Sequence, residues 1–248
     1  MSELKSNTEW KQWGKEDPLW GVATLANKQK DGASPWTDDE FYSMGKSDWI
    51  DFLRHWEHYG VDRRSCLEIG CGAGRMTKQL ADYFDRVNAV DVSEGMIERA
   101  RIAVGPSVEF FVIDGLSLPQ ADRSVSAIFS THVLQHLDSV EIGLRYFREL
   151  FRVLDVGGTI MIHLPLHAYP SDGHVSGLME FLYASSRHAA QILADIKRRM
   201  GKKLMRGTSY PSQSLELFLK NLAFKNIEFR TFRTKSDRGL HSFVFATK

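Results

Sequence analysis

Glu68-Ile69-Gly70-Cys71-Gly72-Ala73-Gly74 is the stretch that decides how the chain folds. Upstream of the first glycine, Cys66-Leu67-Glu68-Ile69 is a short, largely apolar run of the strand type. Downstream, Met76, Leu80 and Phe84 recur at helical spacing, which predicts a helix over Arg75 to Phe84. Glycine between the two permits a tight strand-to-helix turn and lets a ligand approach peptide groups with no Cβ in the way. A dinucleotide fingerprint has glycines at relative positions one, three and six. Here the sixth position from Gly70 is Arg75, whose side chain obstructs the close helix–strand packing that a third such glycine provides. Glu68 also points away from a pyrophosphate, because a carboxylate repels phosphate and suits an ammonium group. An unpaired carboxylate in an apolar strand is costly, so Glu68 implies a partner.

Working outward, apolar runs and amphipathic stretches alternate. Strands are predicted at Val87 to Val92, Val108 to Ile113, Val125 to Ser130 and Thr159 to Leu164. Helices are predicted from Ser93 to about Ala103 and from Val140 to Leu154, the latter stopped by Gly157-Gly158. Asn226 to Phe232 and His241 to Thr247 read as two closing strands. Strands alternating with helices imply βαβ units. The expected fold is therefore α/β, a Rossmann-like, doubly wound, seven-stranded and mostly parallel sheet with an antiparallel last strand. All six tryptophans lie before residue 57, and Asp38 to Tyr59 has helical apolar spacing. Two compatible readings follow: a helical layer packed on the main domain, or a cap whose rings wall the active site. The expected division is a Trp-rich helical cap over 1–60 and a cofactor-binding domain over 61–248. Within the latter, 165–211 is read as a helical insertion after strand five, helical from Gly177 to Met200.

The glycine turn with its preceding acid resembles that of the class I S-adenosylmethionine-dependent methyltransferases, small-molecule type. The likeness runs from about Val61 to Leu164. It implies that Glu68, Gly70, Cys71, Gly72 and Gly74 form the cofactor loop, and that Asp91 with Val92 holds the ribose hydroxyls. It also implies that Met96 packs on the adenine, that Asp114 with Gly115 receives the adenine amino group, and that Ser130 and His132 lie beside the methionine moiety. Taken singly, Asp114 also reads as a turn residue and Asp91 as a helix cap. The implied cofactor is S-adenosyl-L-methionine, with S-adenosyl-L-homocysteine as product.

Methyl transfer to a hydroxyl needs a proton acceptor, and histidine suits that task near neutral pH. His132, His136, His163 and His167 follow the fourth and fifth strands. Val133-Leu134-Gln135-His136-Leu137 resembles small-molecule O-methyltransferases of the family, which makes His136 the first choice of base and His167 the second. His163 and His167 stand four apart, but Pro165 between them breaks helical geometry, so no metal site is expected. Lys197, Arg198, Arg199, Lys202, Lys203 and Arg206 form the densest basic patch, and Tyr169, Tyr183 and Tyr210 flank the same region.

The expected acceptor is a small polar metabolite taken at a hydroxyl oxygen. The alternatives are transfer to nitrogen or carbon, an NAD-dependent oxidoreductase, or a non-catalytic cofactor binder. No asparagine-proline-proline-aromatic signature follows strand four, which argues against methylation of base amino groups. A net charge of +1 gives no global attraction to nucleic acid, so none is expected as partner. No run reaches the roughly 18 apolar residues of a membrane span. The two cysteines, Cys66 and Cys71, are read as reduced. These features suggest a cytoplasmic monomer or homodimer.

Overall fold

The computed structural model describes residues 3–25, 27–167, 207–235 and 239–248. The expected helix at Gly177 to Met200, the basic patch at Lys197 to Arg206, Tyr169 and Tyr183 lie outside them. In chain order the elements begin with α1 (Lys5–Glu16), α2 (Pro18–Val22) and α3 (Asp38–Tyr59). There follow β1 (Cys66–Ile69), α4 (Thr77–Tyr83), β2 (Val87–Asp91), α5 (Glu94–Val104), β3 (Val108–Val112) and β4 (Val125–Ser130). A 3-10 turn at Leu134–His136 leads to α6 (Val140–Val153) and β5 (Leu154–His163). The remainder is β6 (Leu166–His167), β7 (Tyr210–Pro211), α7 (Ser212–Asn221), β8 (Lys225–Arg233) and β9 (Leu240–Thr247).

Seven strands form one sheet in the order β3-β2-β1-β4-β5-β9-β8, and β9 runs antiparallel to both of its neighbours. The sheet is the one expected, down to the reversed last strand. It is covered on both faces, as a parallel sheet must be, and its central strands are accordingly buried throughout: every residue of β1 and β4 is inaccessible. Successive residues of β4 and β5 point to opposite layers. Ile128 and Ile160 pack with Tyr146, Phe147 and Leu150 of α6, while Phe129 and Met161 pack with Phe52 and Trp56 of α3.

Local chemistry sets the helix boundaries. Thr37 and Glu40 form a reciprocal capping box at the start of α3, and Gly60, at φ 108°, closes its end in the left-handed region. The side chains of Ser93 and Ser139 accept N–H groups at the starts of α5 and α6. The N-terminal tryptophans pack in two places. Trp49 and Trp56 of α3 belong to the sheet's core, with Trp56 Nε1 donating to Thr159 Oγ1 at 3.1 Å. α1 and α2 instead lie across the carboxyl ends of the strands, packed on α5.

One expectation fails. Gly157-Gly158 does not stop α6, which ends at Val153; β5 begins at Leu154 and runs through both glycines. The pairing of β4 with β5 shifts register between Val125 and Ala127, a bulge that brings a Cβ on Gly158 to 2.8 Å from Ser126 O. The glycines therefore permit a bulged strand, and the helix stops because the chain turns extended at Leu154. The two-stranded ribbon of β6 and β7 is also absent from the sequence reading.

If α3 is held by its inward face, Trp56→Ala costs about 3–5 kcal/mol in urea denaturation. Ile50→Ala, at a residue that is 54% exposed, costs under about 0.5 kcal/mol. Equal losses would place the helix the wrong way round.

Candidate active site

A cavity of about 720 Å³ opens where β1, β2, β4 and β5 end, the crevice at which open α/β sheets bind ligands. The glycine loop forms its floor. Gly70, Gly72 and Gly74 all have positive φ (69°, 52° and 85°), which only glycine adopts without strain. The turn is held from outside by Asp91, the last residue of β2. Asp91 Oδ2 accepts from Gly72 N and Oδ1 from Ser93 N, each at 2.9 Å. Burial raises the Asp91 carboxyl above the usual range, and these backbone donors oppose that shift. Glu68 is 3% exposed and accepts from Thr77 Oγ1 at 2.6 Å. Burial pushes its carboxyl up to about 7, against the pull of the Thr77 hydrogen bond and the Arg75 charge.

α1 and α2 form the roof. Leu4 supplies no side-chain cap for α1; instead the remote Asp138 carboxylate accepts Lys5 N at 2.8 Å and Ser6 N at 2.9 Å. Asn7 Nδ2 donates to Asp114 O at 2.8 Å, and Trp10 meets the His136 ring edge-on at 5.3 Å. Ser6, Asn7, Trp10 and Val22 all face the cavity.

Of the residues named from sequence, the cavity gathers Glu68, Gly70, Cys71, Gly72, Asp91, Val92, His132 and His136. Others lie outside its lining. Met96 is fully buried against Gly14 and Gly21 under the roof. Gly74 abuts Ala100 of α5, and Ser130 Oγ donates to Ile69 O within the sheet. Asp114 is exposed, and its Oδ1 accepts from Leu116 N and Ser117 N, the turn role open to it from the start; Gly115 beside it lies against Asn7. His167 sits in the β6–β7 ribbon with Nδ1 3.1 Å from Ser209 Oγ, away from the cavity.

The cavity also holds groups that the sequence reading did not assign. Arg75 and Asp48 form a buried ion pair at 2.7 Å, both lining the wall. The only hint in the sequence is a carboxylate on the inward face of α3, next to Trp49. His163 and His241 join His132 on the opposite side; His241 is 78 residues from His163 and no spacing rule connects them. Burial, then the neighbouring His163 and Arg75, holds His132 neutral well below the usual histidine range. Cys66 and Cys71 are free and buried, and burial raises both thiols.

Residues 67–162 match the methyltransferase domain family. Ajmaline N-methyltransferase of Rauvolfia serpentina is 30% identical over 113 residues, covering 42% of this chain and 37% of that enzyme. Malonyl-(acyl-carrier protein) O-methyltransferase of Hahella chejuensis is 36% identical over 108 residues, 41% of this chain and 38% of that enzyme. The chain thus spans well under half the length of these curated relatives. In fold it resembles N-methyltransferase NodS of Bradyrhizobium japonicum in complex with S-adenosyl-L-homocysteine, with TM-score 0.59, 16% identity and 98% of each chain covered. Over this segment the chain is thus similar to the methyltransferase domain family, and its fold is that of solved S-adenosylmethionine-dependent methyltransferases.

The residues present fit that cofactor. Two carboxylates and a bare-backbone turn share one cavity, matching the ammonium and diol donors of a cationic nucleoside. Ser6 Oγ, Arg75 Nε and Thr131 Oγ1 are buried with no partner among the described residues, and all three residues line the same space.

Glu68 gives this site a pH signature. A carboxyl raised to about 7 is protonated below that pH, so pairing it with an ammonium group must first expel the proton. Affinity for S-adenosylhomocysteine is expected to weaken up to about tenfold per pH unit below 7. Calorimetric titrations between about pH 6 and pH 8 measure this, and Glu68→Gln should flatten the profile. A native affinity independent of pH would remove Glu68 as the ammonium's partner.

Proposed function

We propose that this chain is a methyltransferase that takes a small polar metabolite and methylates it at a hydroxyl oxygen, as a soluble cytoplasmic enzyme. The observation that carries the reading is the division of the cavity into two chemistries. Its β1–β2 side presents Glu68 and Asp91, acceptors for a cationic nucleoside; its β4–β5–β9 side presents the imidazoles of His132, His136, His163 and His241. Asp48 is committed to Arg75. An acceptor entering on the histidine side meets groups able to take a proton, rather than carboxylates suited to an ammonium, which favours oxygen over nitrogen. The alternative of nitrogen transfer draws on the names of the Rauvolfia relative and of the Bradyrhizobium enzyme of similar fold.

When bound, S-adenosylmethionine supplies an electrophilic methyl group on a good leaving group. The chain's own residues bind, orient and move one proton. Asp91 and the glycine loop hold the nucleoside against the strand ends, and the Glu68 carboxylate anchors the amino group. His136 serves as the general base. Its ring is 8% exposed, wedged against Trp10, and Gln135 Nε2 lies 2.9 Å from His136 Nε2. An amide NH₂ only donates, so that nitrogen carries the lone pair when the amide is oriented this way, and the acceptor hydroxyl competes with Gln135 for it. His167, held by Ser209 outside the cavity, takes no part. Trp10 of the roof packs edge-on against His136 and so helps to orient the base's ring.

No helix among the described residues is long and apolar enough to cross a membrane. The test of the catalytic assignment is His136→Ala, assayed by isotopic methyl transfer to a panel of hydroxylated metabolites. Turnover is expected to fall by about 10²–10⁴ while cofactor affinity stays within twofold or so. Full turnover on an acceptor that the native chain methylates would transfer the base's role elsewhere.

A further inference from the structure

His132 follows β4, His163 is the last residue of β5, and His241 is the second residue of β9. β9 runs antiparallel to β5, so its beginning returns to the edge where β4 and β5 end. Three imidazoles from three strands therefore meet on one wall of the cavity. Their ring centroids lie 4.4 Å (His132–His163), 5.0 Å (His132–His241) and 5.2 Å (His163–His241) apart. One potential ligand nitrogen from each lies within 4.8 Å of the others. We propose that His132, His163 and His241 bind a divalent first-row metal ion of the zinc or cobalt type, on the acceptor side of the cavity.

The distances suit such an ion. Zinc–imidazole bonds of about 2.0–2.1 Å in tetrahedral geometry put neighbouring ligand nitrogens about 3.3–3.4 Å apart. His163 Nε2 and His241 Nδ1 stand 3.3 Å apart. The third nitrogen is close enough to join by side-chain torsion, with no movement of a strand. Three nitrogens without a carboxylate suit zinc, cobalt, nickel or copper, and disfavour magnesium and calcium. Three protein ligands on the wall of a cavity also leave a fourth position for an acceptor oxygen, the arrangement of catalytic rather than structural sites.

The backbone gives a second, independent sign. His132 has φ 58°, a left-handed conformation uncommon outside glycine. That turn carries its ring back over the end of β5 and points its own N–H at His163 Nδ1, 3.2 Å away. This bond states the cost of the proposal. Ligation through His163 Nε2 shifts that ring's proton to Nδ1, and the His132 N–H then loses its acceptor; the metal bond must outweigh it. Sequence spacing pairs His163 with His167, whereas His241 joins it across the sheet, two residues from Phe243, the β9 register partner of His163.

Metal binding itself does not depend on the methyl-transfer reading, but its role does. A metal-bound acceptor hydroxyl is more acidic, so its O–H proton passes to His136 more readily. The oxygen then forms its bond to the methyl carbon as the carbon–sulfur bond breaks, the electron pair staying on sulfur.

The test uses full-length protein stripped with a chelator and titrated with Co²⁺. The proposal expects about one equivalent bound, with visible d–d absorption of a four- or five-coordinate ion that Zn²⁺ abolishes. His163→Gln and His241→Gln should each weaken cobalt binding by at least about tenfold, and His167→Gln should leave it unchanged. S-adenosylhomocysteine calorimetry on the same variants verifies that each folds. No d–d absorption from native protein that still binds S-adenosylhomocysteine would overturn the metal site and leave the methyl-transfer reading standing. Absorption that survives in both His163→Gln and His241→Gln would equally overturn it. Cobalt bound as expected to protein that never binds S-adenosylhomocysteine would keep the site and remove the role just described.

Discussion

The pair of hydrogen bonds that Asp91 accepts from Gly72 N and Ser93 N is the constraint around which the site is organised. One buried carboxylate fixes the glycine loop after β1 and holds Ser93, the cap of the helix after β2, so two βα connections acquire a common origin. Each bond is of the charged, stronger kind, and the residue is 8% exposed, so water competes for it only weakly. The positive φ angles at Gly70, Gly72 and Gly74 become tolerable because nothing at those positions carries a Cβ; at Gly72 such an atom would lie 2.6 Å from Val22 of the roof. The shape of the loop, the fit of the roof and the placing of Glu68 all follow from that tie.

The roof shows a second use of the same economy. α1 starts with no capping side chain of its own and takes its N–H partner from Asp138, on the segment between the 3-10 turn and α6. Asn7 adds a bond to the carbonyl of Asp114. Both anchors belong to loops at the strand ends, so the roof is attached beside the cavity and next to the turn that carries His136. Trp10 of the same helix packs edge-on against His136, so the roof also touches that turn.

The fold was largely legible because its signals are local: a glycine turn flanked by strand and helix periodicities, serine caps, and apolar runs of strand length. β4 was placed to the residue, and the sheet had the expected strand number and reversed last strand. Gly157-Gly158 misled because glycine reads alike as a helix stop and as a bulge, and only pairing with β4 distinguishes them. The site was less legible. Glu68 and Asp91 lie at strand ends, and both line the cavity. Asp114 is also near a strand end, yet its carboxylate is spent on the turn at Leu116 and Ser117. Asp48, Asn7 and His241 carry no sequence signature, since each reaches the cavity through packing of elements remote in the chain.

The central claim is that the strand-end cavity holds a cationic nucleoside with its ribose on Asp91. Crystals grown with S-adenosylhomocysteine test it most directly. The account predicts nucleoside density over Gly70 to Gly74, with both ribose hydroxyls on the Asp91 carboxylate and the homocysteine amino group against Glu68. Density bound elsewhere on the molecule, or a nucleoside whose ribose makes no contact with Asp91, would contradict it.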